Sequence, residues 1–228
     1  TENENFTNLI RIESKMLIFG ENTSTVGVYN LVSKDFKKIN TETNGFIGAS
    51  TPKENDYSLL LTKNNEIYKF DLKNDELQKI EIYYPTEETT IKNIFVYNRN
   101  LYTLDIKNGN LYKHVPIQAG FGKGVAWNKT PQNLESAEAF AIDGDIFIIK
   151  NNGEIIKMGN GEKQNFLLSH LFPPLEEADK IWTYNNLKYI YILDNKNKRL
   201  IIVNKDGESQ KQIRSEERRV GKECTIQC

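Results

Sequence analysis

Lys63-Asn64-Asn65-Glu66-Ile67-Tyr68-Lys69 returns later in the chain as Lys150-Asn151-Asn152-Gly153-Glu154-Ile155-Ile156-Lys157, with one glycine inserted. Lys107-Asn108-Gly109-Asn110-Leu111-Tyr112-Lys113 is a third copy, and Asn197-Lys198-Arg199-Leu200-Ile201-Ile202 is a weaker fourth. Nearer the start, residues 26–39 align without gaps to residues 67–80. The equivalent apolar positions are Val26, Ile67, Leu111, Ile155 and Leu200, separated by 41, 44, 44 and 45 residues. Self-similarity at a fixed period means that each copy is one structural unit, burying its apolar face against the next.

Each unit reads as four short strands. In the fourth, residues 137–142 form the first strand, and Asp143-Gly144 a two-residue hairpin turn, because Gly accepts positive φ. Residues 146–149 form the second strand, Asn151-Asn152-Gly153 a turn, residues 154–158 the third strand and residues 164–168 a polar outer strand. Second strands elsewhere fall at residues 16–19, 57–61, 101–104 and 188–193. They are nearly continuous apolar runs, as expected of strands covered on both faces. Third strands alternate more, as in residues 66–70, and the first strand of the first unit spans residues 8–12.

A period near 41–45 residues with four strands per unit is the pattern of a β-propeller blade. A lone four-stranded blade cannot bury both faces, but blades stacked around an axis bury them against each other. Helical repeats of similar length need helices of about ten residues or more, and turn signals come too often here for that. A β-sandwich of short hairpins is the structural rival. The fold class is therefore all-β, a propeller piece of about five blades at roughly residues 6–40, 41–86, 87–132, 133–175 and 176–213. The expected natural ring has one to three further blades, which would leave an unpaired blade face here.

The run Arg214-Ser215-Glu216-Glu217-Arg218-Arg219-Val220-Gly221-Lys222-Glu223-Cys224 resembles an in-frame translation of a common sequencing-library adapter. Residues 214–228 are accordingly read as a non-native tail and set aside. Both cysteines lie in it, so disulfide and thiolate chemistry leave with it. The 228-residue chain is 38% hydrophobic and 27% charged, with 30 basic and 31 acidic side chains. The resulting net charge of −1 gives no electrostatic case for nucleic acid. No apolar run has the length of a spanning helix, so a membrane enters the expectation only through a missing upstream segment.

Residues 120–124, 141–147 and 189–194 resemble NHL-like and related six- or seven-bladed propellers of bacteria. Residues 141–158 and 193–208 look most like propeller regions of uncharacterised candidate-phyla proteins. In that group the propeller is joined through a membrane helix to a PP2C-like phosphatase module. The resemblance implies a sensor or interaction domain, with an extracytoplasmic face as the expected location. The metal-binding aspartates of the phosphatase have no counterpart in this stretch.

Catalysis needs convergent groups, and few are legible. His114 and His170 read as partly exposed strand-end residues without triad or metal spacing. Gly120-Phe121-Gly122-Lys123-Gly124 lacks the ending and the strand-then-helix context of a phosphate loop, and reads as a flexible inter-blade loop. Residues 194–198 and Asp143-Gly144-Asp145 have calcium-like alternation, yet Asp and Asn are also the favoured turn residues. Glu135, Glu138, Glu176 and Glu177 sit near first-strand starts. The sequence assigns no catalytic residue, metal or cofactor. Its binding candidates are Phe121, Lys123, Trp127, Trp182 and Tyr184, since aromatics near an axial mouth offer large contact area at small entropic cost; packing between blades is the competing role for both tryptophans. The expected partner is a protein, peptide or glycan. The rival expectation is a lyase or glycosidase with acid and base facing each other across the axial channel, recognised by carboxylates or histidines clustered at one mouth.

Overall fold

The computed structural model describes residues 5–214, and all of their regular structure is β. Blade one holds β1 (Asn8–Ile12), β2 (Lys15–Phe19), β3 (Thr25–Asn30) and β4 (Phe36–Asn40). Blade two holds β5 (Gly48–Ser50), β6 (Tyr57–Leu61), β7 (Ile67–Asp71) and β8 (Glu76–Tyr83). Blade three begins with β9 (Ile91–Tyr97), β10 (Asn100–Asp105) and β11 (Asn110–His114). The chain then makes β12 (Pro116–Ile117) and β13 (Gly120–Lys123) before closing the blade with β14 (Val125–Ala126). Blade four holds β15 (Ala137–Ile142), β16 (Ile146–Lys150), β17 (Ile155–Gly159) and β18 (Glu162–Gln164). Blade five holds β19 (Ala178–Trp182), β20 (Ile190–Asp194), β21 (Arg199–Val203) and β22 (Ser209–Arg214). Each blade is an antiparallel four-stranded sheet, β12 and β13 extend that of blade two to six strands, and the five blades form a β-propeller. Among the described residues no helix is long and apolar enough to cross a membrane. The tail read as adapter lies, apart from Arg214, outside the described residues.

The repeat positions explain how the blades stack. Ile67, Leu111 and Ile155 pair across the hairpin with Leu61, Leu104 and Ile149, Val26 and Phe19 hold the equivalent positions one step beyond the last β2–β3 pair, and all eight are buried. One apolar cluster joins blades one and two, a second joins two and three, and a third runs through blades three, four and five. In blade five the equivalent pair is Leu200 and Leu193, and Leu193 is 39% exposed. That face is the equivalent of the one by which the earlier blades pack on their successors. Blade one mirrors this on its other face, where Leu9 is 65% exposed. None of the three clusters contains residues of both blades one and five.

A second regularity lies two residues before four of the five repeat positions. Asn65, Gly109, Gly153 and Lys198 all hold positive φ. Asn65 and Gly153 close equivalent turns, with Asn65 N bonded to Thr62 O and Gly153 N to Lys150 O. The two copies therefore align by a shift of one residue, without the inserted glycine that the sequence comparison suggested. These turns clasp the linker into the next blade. A Cβ on Gly109 would stand 2.2 Å from Gln132 O, and one on Gly153 would stand 2.3 Å from Leu175 O. Asn65 reaches the equivalent linker through its side chain, accepting from Ile91 N at 2.9 Å and donating to Thr89 O at 3.0 Å.

Four further sequence expectations change. The outer strand of blade four is Glu162–Gln164 rather than residues 164–168, because Asn160-Gly161, with φ of 52° and 81°, closes a two-residue hairpin. The turn at Asp143 holds three residues, with Ile142 paired to Ile146. The glycine-rich segment at residues 120–124 is no flexible loop: β13 runs parallel to β8 and straps blade three's chain onto blade two. His114 is fully buried rather than at a partly exposed strand end.

Beneath that strap, Nδ1 of His114 donates to Gly122 O at 3.0 Å, and Nε2 lies 3.1 Å from the Thr103 hydroxyl, from which it accepts. The Tyr84 ring meets the imidazole edge-on. Burial lowers the His114 pKa from its ordinary 6.5 against the opposing effect of backbone hydrogen bonds. The neutral ring is thus the folded form, and below pH 6.5 the unfolded chain takes up a proton that the native chain refuses. Stability is complete above that pH and falls beneath it by up to about 1.4 kcal/mol per pH unit. Guanidinium unfolding at pH 7.5 and pH 5.5 tests this: the midpoint drops for the native chain and drops less for His114→Gln.

Candidate functional site

The first strand of every blade lines the axis. Ile10, Ser50, Phe95, Phe140 and Trp182 face a narrow axial space of about 260 Å³. Where the first strands end, this space opens into a mouth of about 420 Å³ between β1, the β5–β6 loop and the β19–β20 loop. Ile10, Arg11, Lys53, Trp182, Tyr184 and Leu187 line it. Trp182 is 46% exposed, at the end of β19. Its ring lies 5.4 Å from Phe95, which stacks on Tyr184 at 6.4 Å; Tyr184 in turn meets Tyr97 at 5.2 Å. Burial raises the pKa of both tyrosines, so they stay neutral hydrogen-bonding groups. The mouth is thus an apolar ledge with two cationic side chains on its rim.

The opposite mouth, where the first strands begin, encloses about 650 Å³ and is polar. Lys92, Glu138, Asp179 and Lys180 project there among the side chains of Asn8 and Asn93. Lys92 pairs with Glu138 at 2.7 Å, and Lys180 donates to Asn8 Oδ1 at 3.3 Å, a link between blades five and one.

The five binding candidates separate in space. Trp182 and Tyr184 come together at the aromatic mouth. Phe121 is buried in the cluster between blades two and three, and Lys123 is exposed on the strap beside β8. Trp127 follows β14 on the outer rim and packs partly buried against the large cluster. These three therefore do not share a surface with the other two. Arg11 belongs to the mouth and Phe95 and Tyr97 to the aromatic stack behind it; none carries a local motif, and only their register at the ends of first strands marks them. His170 is exposed, beside Glu208.

The calcium-like segments have protein partners. Asp194 accepts from Asn197 N and Nδ2 and from Arg199 Nε. Asp143 accepts from Lys205, and Asp145 pairs with Lys157. Among the described residues no group of three or more His, Cys, Asp or Glu side chains is placed to hold a metal.

No family model and no curated protein matches the sequence. Solved structures do match the fold. A structural-genomics protein of unknown function from Bacteroides thetaiotaomicron is 14% identical over 83% of this chain and 56% of its own, with a TM-score of 0.60. The nidogen/laminin complex contains a chain 12% identical, matched over 90% of this chain and 77% of its own, at 0.65. Catalytically inactive virginiamycin B lyase from Staphylococcus aureus, with quinupristin, is 12% identical over 95% and 72%, also at 0.65. The chain thus spans just over half the length of the first of these. At such identities the likeness establishes the propeller fold and nothing narrower.

Proposed function

We propose that this propeller is a non-catalytic binding module whose aromatic mouth takes a peptide or glycan partner, as the sensor or interaction domain of a larger bacterial protein. The observation that carries this reading is Trp182, half-exposed over the Phe95–Tyr184–Tyr97 stack at an axial opening. Rigid aromatic ledges supply contact area at low entropic cost, and Arg11 and Lys53 add donors at the rim. The rival lyase or glycosidase reading rests on Glu138 and Asp179 at the polar mouth. It asks for two carboxylates poised on one bond, and Glu138 is held by Lys92. The matched folds include both a lyase and a member of a protein complex, so likeness does not choose between the readings.

Peptide and glycan arrays, followed by tryptophan fluorescence titration of each hit, test the proposal. Replacing Trp182 by alanine is expected to weaken the binding by about tenfold or more, the effect of losing an aromatic anchor. Trp127→Ala is expected to leave it unchanged. Equal affinity in the Trp182 variant would move the site elsewhere.

A further inference from the structure

Three of the five first strands carry the same irregularity. In blade three Asn93 pairs with Leu104 and Ile91 with Asp105, leaving Lys92 as an extra residue. In blade four Ala139 pairs with Ile149 and Ala137 with Lys150, leaving Glu138. In blade five Lys180 pairs with Leu193 and Ala178 with Asp194, leaving Asp179. The opposing residues Leu104, Ile149 and Leu193 are equivalent in the repeat, so these are one bulge repeated in three successive blades. A bulge re-aims the side chain it carries. All three bulged side chains line the polar mouth.

Their charges are not equally matched. Lys92 and Glu138 pair with each other, and Lys63 pairs with Glu21 on the rim of the same mouth. Asp179 forms no ion pair among the described residues and its Oδ1 is buried with no hydrogen-bond partner, while the neighbouring Lys180 is turned to Asn8 Oδ1. A buried carboxylate oxygen without a donor is costly, and a charged donor supplies the strongest relief. Asn93 lines the same cavity and brings a further amide oxygen, while that of Asn8 already accepts from Lys180. The donor set is too poor in carboxylates and imidazoles for a transition metal or calcium. An ammonium group is compact, carries three donors and needs a single carboxylate counter-ion.

We propose that the polar mouth is a binding site for a primary ammonium group, seated on Asp179. It lies at the opposite end of the axis from the aromatic mouth and does not depend on it. The ammonium belongs either to the amino terminus of a peptide or to a lysine-type side chain.

The test is an NMR titration of the isotopically labelled chain with three probes: trialanine amide, N-acetyl-trialanine amide and Nα-acetyl-lysine amide. Trialanine amide or the lysine derivative, or both, are expected to shift the amides of Lys92, Glu138 and Asp179, and which one does identifies the source of the ammonium. The acetylated peptide is expected to leave them in place. Asp179→Asn keeps the shape, removes the charge and is expected to weaken the binding by about tenfold or more. Trp182→Ala is expected not to alter it, which separates this site from the aromatic one. Should the Asp179 variant fail to fold, the contrast in the native chain between the probe that carries the bound ammonium and the acetylated peptide decides. The proposal is overturned if neither ammonium probe shifts the mouth at millimolar concentration, if the acetylated peptide shifts it as strongly as they do, or if folded Asp179→Asn binds as well as the native chain.

Discussion

Arg199→Ala lowers the free energy of unfolding by about 3–5 kcal/mol, the cost of leaving one partner of a buried ion pair uncompensated. Arg199 is 1% exposed in the middle of blade five. Its Nε donates to Asp194 Oδ2 at 2.7 Å and its Nη1 to Gln212 Oε1 at 2.6 Å. Nη2 reaches the backbone carbonyls of Pro173 and Pro174 at 2.6 and 3.1 Å. One guanidinium thus ties β20, β21 and β22 to the linker that leads in from blade four. Removing it strands a buried carboxylate and three other acceptors. Arg199→Lys does not restore the loss, because an ammonium cannot present the same planar fork.

The pH dependence carries the same signature. Burial alone raises the Asp194 pKa, but hydrogen bonds from Asn197 and Arg199 and the guanidinium charge outweigh it and hold the carboxyl below its ordinary 3.8. A depressed carboxyl stabilises the fold above its ordinary pKa, and that contribution is lost as the pH falls through the lower folded value. Without Arg199 the depression shrinks, and so does this part of the acid unfolding. Denaturant titrations of both chains at neutral pH and near pH 3 measure the two effects together. A loss below about 1 kcal/mol at neutral pH would mean that water replaces the guanidinium and that the pair is not a structural tie.

The propeller was legible because its signal is repeated. A local ambiguity in one blade, such as the short β5, is settled by the same position in four others. The period places residues 8–12 and 137–142 on the axis, and both are first strands. What was not legible departs from the repeat. Nothing in residues 116–123 reveals that they pair with β8, since parallel pairing to an earlier blade is a long-range choice with no local pattern. The Asn160-Gly161 turn did carry a recognised hairpin signal, and the apolar residues after Gln164 drew the strand assignment away from it. Of the polar mouth only Glu138 was marked in the sequence, as one of the carboxylates near first-strand starts, and the rest stayed hidden for another reason. Lys92, Glu138 and Asp179 have different side chains and separations of 46 and 41 residues, and only a backbone bulge makes them equivalent.

Phe121→Ala distinguishes a structural strap from a ligand platform, and the expected result is a loss of about 3–5 kcal/mol of stability, the usual cost of truncating a buried phenylalanine. Phe121 is 3% exposed and packs with Leu59, Leu61, Ile67, Ile94 and Leu101 between blades two and three. The backbone around it leaves little room for adjustment. A Cβ on Gly120 would stand 2.1 Å from Glu81 O, and Gly122 donates to Val115 O while accepting from His114. The phenyl ring is thus the apolar anchor of β13, and β13 covers the buried imidazole. Emptying its site loosens the strap, admits water to His114 and lets that ring titrate nearer its ordinary value. Two readouts should move together: the unfolding free energy falls, and the pH dependence attributed to His114 flattens. Lys123→Ala, two residues along and exposed, is expected to stay within about 0.5 kcal/mol of the native chain. If Phe121→Ala leaves stability unchanged while weakening a ligand found on the arrays, the strap is a binding loop and the aromatic mouth is not the principal site.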